Sequence, residues 1–507
     1  MMSSSSGGYT AVPVPGTDDE EEKSHSTALE MSESPIPART LYPSRPKAVT
    51  FALDDEVDVL DDNRGTIFSR NRVSNNLPVP ISRPPTKPRD GLFAVAFFSH
   101  FVVISLLSLF EGHPLKTAIF DYSNAGSWSS MIMIVILLGS FVGLAVVGVV
   151  AFVDARETLL SLGMLLSVTM QACLGNILLI LQTRFSFLGV LVLLSALLDS
   201  LSYKKARDGI CFTSALIQMA VEVLKKYGSS LVIACAVIIA VQTFVLLWWG
   251  AFFVDLISGV SSSYAEPLMV LMALSLYWIA NFFHSFISYV VGGCVLWHFV
   301  KKESEPLLPG KRILLHMQCG VTSSLGSICK GALFCPISQR ILSIYNWSNR
   351  SRYMSNSLAN QFRNAVLNSI FPLVSHARRF HRLTFCLTAV YGRTLCKAAD
   401  EQMESHPETI DLSVEDSTHF TLLATATELA GLISIVFGIV AERREGSSWP
   451  LFFFVCFCLA YCGLSLAVHI FNSAVDALVV AFGTEPQRFA LENQIVFLRF
   501  LRETETR

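Results

Sequence analysis

Aromatic side chains crowd two apolar stretches of the sequence in a pattern that could bind an organic cation. They are Trp248 and Trp249 in the first stretch, and Tyr277, Trp278, Phe282, His284 and Tyr289, with the amide Asn281, in the second. A quaternary ammonium has no N–H donors, so aromatic faces bind it instead, at about 0.5–2 kcal/mol per contact. Because residues three, four and seven apart are neighbours on a helix, most of the second set is expected to form one broad stripe. Ordinary packing is the alternative, since aromatic residues also form belts at membrane interfaces.

Three ionisable residues lie inside apolar stretches, where a charge is costly and a functional role is the default hypothesis. Glu428 is the best candidate to balance a positive charge or to carry a proton. Lys330 is expected to pair with Glu428 or to extend towards the membrane interface. Asp476 lies near the end of the last apolar stretch and is a candidate gating residue or a helix-end contact.

Motifs for enzymatic or metal chemistry are not found in the sequence. Its 12 cysteines sit mostly within or beside apolar stretches, and no two Cys-x-x-Cys motifs are paired, so no metal site is predicted. There is no P-loop, no Rossmann fingerprint, no His-Glu-x-x-His and no Gly-x-Ser-x-Gly. We therefore expect no cofactor, no enzymatic activity and no ATP motor in this chain.

Composition divides the chain into a polar head and an apolar body. Charged residues are 15% of the 507, yet residues 1–90 hold 24 of the 78, with 11 of the 20 prolines. This head cannot bury enough apolar surface to fold, so residues 1–90 are predicted to be a disordered cytoplasmic tail that could recruit cytoplasmic partners. The mean hydropathy of +0.50 excludes a soluble enzyme, and the net charge of −2 leaves no basic face for nucleic acid.

Apolar runs in the body are long enough to cross a bilayer as helices, which takes roughly 17–25 residues for about 30 Å of hydrocarbon. Ten such runs occur, at 92–110, 131–153, 158–182, 185–202, 229–257, 267–300, 317–344, 383–399, 418–441 and 450–482. The predicted fold class is all-α, a polytopic membrane helix bundle of about ten transmembrane helices over residues 91–485, with a cytoplasmic C-terminal tail at 486–507. Residues 203–228, basic at both ends, are expected to form an amphipathic helix on the cytoplasmic face.

Lysine and arginine in the loops indicate the orientation of the chain. With the tail inside, the basic loops 203–228 and 301–316 are cytoplasmic, and 258–266, which has no Lys or Arg, is outside. The second half is ambiguous, because ten spans place 345–382 outside although it holds six arginines. Glycosylation sequons at Asn346 and Asn349 in that loop favour the exterior. A re-entrant 317–344, broken at Cys335-Pro336, is the alternative.

Five segments of the body carry a pattern that a known family shares. They are RDGLFA at 89–94, the basic stretch 204–226, LGSICKGAL at 325–333 followed by SQRI at 338–341, YGxxLCxAAD at 391–400 and SAVDALVVAF at 473–482. In their order and spacing the chain resembles the choline transporter-like family of plasma-membrane solute carriers. The resemblance implies a ten-helix transporter with both ends cytoplasmic, whose partners are the lipid bilayer and a small-molecule amine such as choline. It also implies the plasma membrane, with an internal membrane as the alternative.

Three departures from the family pattern bear on the substrate. Lys330 stands where the family is usually neutral, Thr484-Glu485 replaces an acidic pair, and the loop 111–130 is short where animal members have a large exterior domain. We predict transport of choline or a related amine by alternating access, with Trp248, Trp249, Tyr277, Trp278 and Phe282 as a cation cage and Glu428 as charge partner. Transport of an anion or a neutral metabolite, suggested by Lys330, and a non-transporting membrane scaffold are the alternatives.

Overall fold

Helices, most of them apolar, make up most of the part of the chain that the structure describes. The computed structural model describes residues 88–110, 128–152, 210–259, 265–301, 308–350, 376–405 and 449–494, with single residues and short pieces within 165–200, 373–374, 426–437 and 496–498. All regular secondary structure in these residues is helical, which confirms the all-α prediction for them. Glu428 and the predicted tail up to residue 87 lie outside the described residues.

The helices follow one another along the chain with short connections in several places. They are α1 Gly91–Phe110, α2 Trp128–Phe152, α3 Ile210–Gly259, α4 Ala265–Ile287, α5 Gly293–Val300, α6 Pro309–Val321, α7 Leu325–Arg350, α8 Thr384–Tyr391, α9 Leu395–Ser405, α10 Trp449–Thr484 and α11 Pro486–Glu492. A π-helical turn, Ser288–Gly292, joins α4 to α5, so the helical segment continues without a break from Ala265 to Val300.

Three helical segments are long and apolar enough to cross a membrane by length and composition, Ala215–Phe253, Val270–Val300 and Val455–Thr484. They overlap the fifth, sixth and tenth predicted spans, although the first begins at Ala215, within the predicted amphipathic stretch, rather than at 229. Shorter apolar helices, Gly91–Leu106 and Ile132–Gly143, lie in the first and second. The described residues within 165–200 and 426–437 are helical too, in the third, fourth and ninth predicted spans. The chain is a membrane protein built from helices.

Of the predicted amphipathic helix 203–228, residues 203–209 lie outside the described residues and the rest forms the first part of α3. Gly228 separates it from the following apolar part with φ 59° and ψ −146°, a backbone conformation that favours glycine. Its apolar face packs into the protein, where Leu216, Ile217 and Met219 are buried. This face therefore contacts other helices of the chain.

Two predicted spans are interrupted. The run 317–344 is divided at 322–324, between α6 and α7, and α7 then continues through Pro336 to Arg350, so the break expected at Cys335-Pro336 does not occur. The run 383–399 is divided at 392–394, where Gly392 ends α8 with φ 60°. Apolar length detects such runs but cannot detect a non-helical residue within them.

The core of the described bundle is α10, which packs against α2, α3, α5 and the π-helical turn. Glycines allow the closest of these contacts. A Cβ at Gly139 would lie 3.0 Å from Ala460 Cα, and one at Gly143 would lie 3.0 Å from the carbonyl oxygen of Gly463. Small residues bring membrane helices together in this way because backbones can then touch.

Candidate functional site

A row of aromatic rings follows α1 through the bundle, and we call it the aromatic stripe. Phe93, Phe97 and Phe101 are four residues apart and so share one face of α1. Phe97 stacks on Phe282 at 4.6 Å between ring centroids and meets Trp278 edge-on at 5.3 Å. The stripe consists of Phe93, Phe97, His100 and Phe101 from α1, Trp248 and Phe252 from α3, Trp278 and Phe282 from α4, Phe334 from α7, and Phe380.

Hydrogen bonds to backbone carbonyls hold the α4 side of the stripe against α7. Trp278 Nε1 donates to the carbonyl oxygen of Cys329 at 3.1 Å, and the Tyr277 hydroxyl donates to that of Leu333 at 3.3 Å. The ring of His100 stacks on Trp278 at 5.3 Å. Trp278 is therefore held by the hydrogen bond of its Nε1, by the stacked ring of His100 and by the edge-on contact with Phe97.

One end of the stripe carries an ion pair. Lys330 Nζ lies 3.6 Å from Asp90 Oδ1, and the side chains are 18% and 19% exposed. The same ammonium lies over the rings of Phe93 and Phe380, at 5.5 and 5.8 Å from their centroids. Lys330 was expected to pair with Glu428 or to extend towards the interface; in the described residues its carboxylate partner is Asp90, which precedes α1.

Three of the predicted cage residues, Trp248, Trp278 and Phe282, belong to the stripe, whereas the others have different neighbours. Trp249 is buried, stacks on Phe253 at 5.0 Å and donates to the carbonyl oxygen of Met272. Asn281 donates to the carbonyl oxygen of Tyr277 within its own helix. The side chains of the second apolar stretch, which were expected to form one stripe, therefore contact several different neighbours.

A second cluster, the polar core, lies between α4, the π-helical turn and α10. His284 Nε2 and Ser465 Oγ are 3.0 Å apart, as are Ser288 Oγ and His469 Nε2. Ser288 also reaches Ser473 at 3.1 Å, and the rings of His284 and His469 stack at 4.8 Å. Tyr289, next in the chain, hydrogen-bonds Ser324 between α6 and α7 at 3.1 Å. His284 and Tyr289 therefore serve contacts away from the aromatic stripe.

Asp476 forms a buried ion pair at the edge of the polar core. Its Oδ1 lies 2.9 Å from Arg382 Nε, and the two side chains are 2% and 9% exposed. Arg382 precedes α8, and sequence reasoning counted it among the loop charges of 345–382. Its position directly before the apolar run 383–399 was the available signal of burial. A buried charge needs such a partner, because its transfer from water costs several kcal/mol.

Helix α11 contacts α3 just before Gly228 and the last residues of α5, an arrangement that sequence reasoning missed. Glu492 accepts hydrogen bonds from Lys226 at 2.6 Å and from His298 at 2.9 Å. Arg488 donates to the carbonyl oxygens of Phe299 and Lys301, which end α5. Burial raises the pKa of Glu492, whereas its hydrogen bonds with Lys226 and His298 lower it, and the resulting pKa lies below its ordinary value.

The two glycosylation candidates, Asn346 and Asn349, lie in the last turns of α7, where the backbone is helical. Among the described residues, no group of three or more His, Cys, Asp or Glu side chains is arranged to hold a metal ion.

These features define a class of protein: a helical membrane protein with interrupted helices and ion pairs inside its bundle. Within that class, the family model described as plasma-membrane choline transporter matches residues 189–487, more than half of the chain. The chain belongs to this family, as its motifs predicted. It is a family of transporters rather than of enzymes.

Relatives of the chain are found among protists and fungi. A CTL-like protein of Dictyostelium discoideum is 21% identical over 311 residues, which cover 60% of this chain and 54% of that protein. Protein PNS1 of Kluyveromyces lactis is 21% identical over 453 residues, with 81% of each chain covered. Protein PNS1 of Debaryomyces hansenii is 20% identical over 440 residues, covering 81% of this chain and 85% of the relative.

Proposed function

We propose that this protein carries choline or a related small amine across a membrane by alternating access, without hydrolysing ATP. The observation that carries the proposal is the aromatic stripe with the Asp90–Lys330 pair at its end. Aromatic faces suit a quaternary ammonium, and a carboxylate at the end of the stripe balances its charge. Family membership supports the same class of activity.

The side chains that touch the amine are, in this proposal, those of the stripe. Trp248 belongs to the stripe from α3, and Trp278 and Phe282 belong to it from α4. Trp249, Tyr277 and Asn281 support these positions through their hydrogen bonds to backbone carbonyls. Glu428, which lies outside the described residues, keeps its proposed role as a charge partner of the amine. Asp476 is assigned to gating, and His284 and Tyr289 are assigned to contacts between helices.

Alternating access requires segments that can change their packing, and the interrupted helices supply them. The π-helical turn packs against α6, α8 and α10, and its Tyr289 donates a hydrogen bond to Ser324 in the break at 322–324. In many transporters, discontinuous helices form the substrate site around which one helix bundle moves against another. We propose that α8, with Gly392 at its end, is one such moving part.

The proposed topology has ten spans, both ends in the cytoplasm and the plasma membrane as location. In this arrangement 1–90 and 486–507 are cytoplasmic and 91–485 is the transport domain. Ten spans place Asn346 and Asn349 outside. Glycosylation mapping with Asn346→Gln and Asn349→Gln tests this, because loss of an enzymatically removable glycan is expected only if the loop is exterior.

Uptake of radiolabelled choline tests the function in cells that express the chain. We expect uptake above that of control cells, lowered by Trp278→Ala and unchanged by Phe244→Ala. Phe244 is a matched control because its side chain is 71% exposed on the outside of the bundle. Uptake equal to the control, with the protein present at a membrane, would contradict the choline proposal.

A further inference from the structure

The Lys330 ammonium is held by parts of the chain that are far apart in sequence. Asp90 directly precedes α1 and Phe93 lies in its first turn, whereas Phe380 lies in the turn before α8. Cys396, whose sulfur lies 3.3 Å from Nζ, belongs to α9. A carboxylate and two aromatic faces around one positive charge are the elements of a site for an organic cation.

We propose that Asp90, Phe93 and Phe380 form a binding site for the headgroup of an organic ammonium ion, and that Lys330 is its tethered occupant, which the substrate displaces. The inference rests on the proposed function and identifies where on the stripe the amine binds. The site takes alkylammonium ions, and quaternary ones best.

The geometry favours a quaternary ammonium over the lysine itself. The distance of 3.6 Å between Lys330 Nζ and Asp90 Oδ1 exceeds the 2.7–3.2 Å of a good N–H···O hydrogen bond, so Lys330 interacts with Asp90 mainly through charge. A quaternary headgroup has no N–H to satisfy and loses nothing at that distance. Ring centroids at 5.5 and 5.8 Å lie within the range of about 6 Å for cation–π contacts.

The carboxylate is held in place independently of Lys330. Ser327 Oγ donates to Asp90 Oδ2 at 2.7 Å, and the Arg89 amide donates to the carbonyl oxygen of Ser323 at 2.9 Å. Gly326 allows this approach, since a Cβ there would collide with the carbonyl oxygen of Asp90. The site therefore keeps its shape when Lys330 leaves it.

Access to the site distinguishes it from the other ion pair of the bundle. Lys330 and Asp90 are nearly one-fifth exposed, whereas Arg382 and Asp476 are almost fully buried. The long, flexible lysine side chain can move aside without moving a helix. Phe97 follows Phe93 by one turn on the same face of α1. A headgroup released by Asp90 therefore meets the next rings of the stripe.

Equilibrium binding of radiolabelled choline to the purified full-length protein tests the inference. We expect Lys330→Met to bind choline at least about tenfold more tightly than the wild type, because the tethered competitor is removed. Lys330→Arg is expected to retain competition, and adding Asp90→Asn to Lys330→Met is expected to abolish the gain. The exposed Lys225→Met is the matched control. Unchanged or weaker binding by Lys330→Met overturns the inference.

A second measurement needs no substitution at the site. Choline is expected to slow alkylation of Cys396 in the wild-type protein, read by mass spectrometry, while the exposed Cys173 reacts at an unchanged rate. Equal labelling of Cys396 with and without choline overturns the site. If the wild type takes up choline in the same preparation, the proposed function survives that result, whereas absence of both binding and uptake contradicts both proposals.

Discussion

Arg382 and Asp476 form an ion pair within the helix bundle, with 2.9 Å between Nε and Oδ1. The pair links the turn before α8 to the central helix α10, where Asp476 lies two helical turns after His469. It therefore connects an element that ends at the helix break of Gly392 to the core of the protein. Such a link stabilises one arrangement of α8 relative to α10.

Breaking this pair is expected to destabilise the protein strongly. Arg382→Gln or Asp476→Asn leaves one charge uncompensated in the interior, at a cost of about 3–5 kcal/mol, and the double variant is expected to recover much of the loss. Thermal unfolding in detergent measures this. Arg379 and Asp400 provide the control, because their side chains are 57% and 48% exposed and such pairs contribute about 0–1 kcal/mol. Equal losses at both pairs would contradict a buried role.

Trp278 and Trp249 are expected to differ in their effect on choline affinity. Trp278→Ala removes a ring of the stripe, and loss of one cation–π contact predicts an apparent affinity lower by about 2- to 30-fold. Trp249→Ala is expected to lower stability with little change in affinity, since that ring stacks on Phe253. Concentration-dependent uptake, normalised to folded protein, separates the two. The same affinity loss for both variants would argue against the stripe as the pathway.

Glycine at position 293 is expected to be required for packing. A Cβ there would lie 2.6 Å from Ala389 Cβ in α8, so Gly293→Ala is predicted to cost about 1–3 kcal/mol through overpacking. Adding Ala389→Gly is expected to restore part of the stability. Thermal unfolding is the measurement, with Gly91→Ala as control because no atom lies within 4 Å of its added Cβ. A Gly293→Ala variant as stable as the wild type would contradict this prediction, because α8 would then shift to accommodate the added methyl group at no cost.

Attachment of α11 is expected to weaken in acid. The pKa of Glu492 is lower in the folded protein than its ordinary value of 4.5, so its contribution is present above that pH and is lost as pH falls through the folded pKa. The difference in unfolding temperature between the wild type and Glu492→Gln is therefore expected to shrink below about pH 4.5. The exposed Glu404→Gln is the control. A difference that grows in acid would reverse the assigned sign.

Much of the fold could be predicted from apolar run length, and the site only in part. The bounds of α1, α2 and α10 match the predicted spans within a few residues because a long apolar helix has few alternatives in a bilayer. The breaks at 322–324 and 392–394 were missed because three small or polar residues hardly change the hydropathy of a long apolar run, although the sequence there reads Thr-Ser-Ser and Gly-Arg-Thr. The sequence singled out Lys330, yet its partner Asp90 precedes it by 240 residues, and helical spacing relates only residues within a few turns of one another.

Counterflow of choline into vesicles containing the purified protein tests the central claim most directly. Vesicles loaded with unlabelled choline are predicted to take up radiolabelled choline faster than empty ones, because a carrier that alternates between two sides exchanges its substrate. At a choline concentration below saturation, this stimulation is predicted to be reduced in Trp278→Ala and unchanged in Phe244→Ala. Folded wild-type protein that admits no more labelled choline than protein-free vesicles would contradict the account.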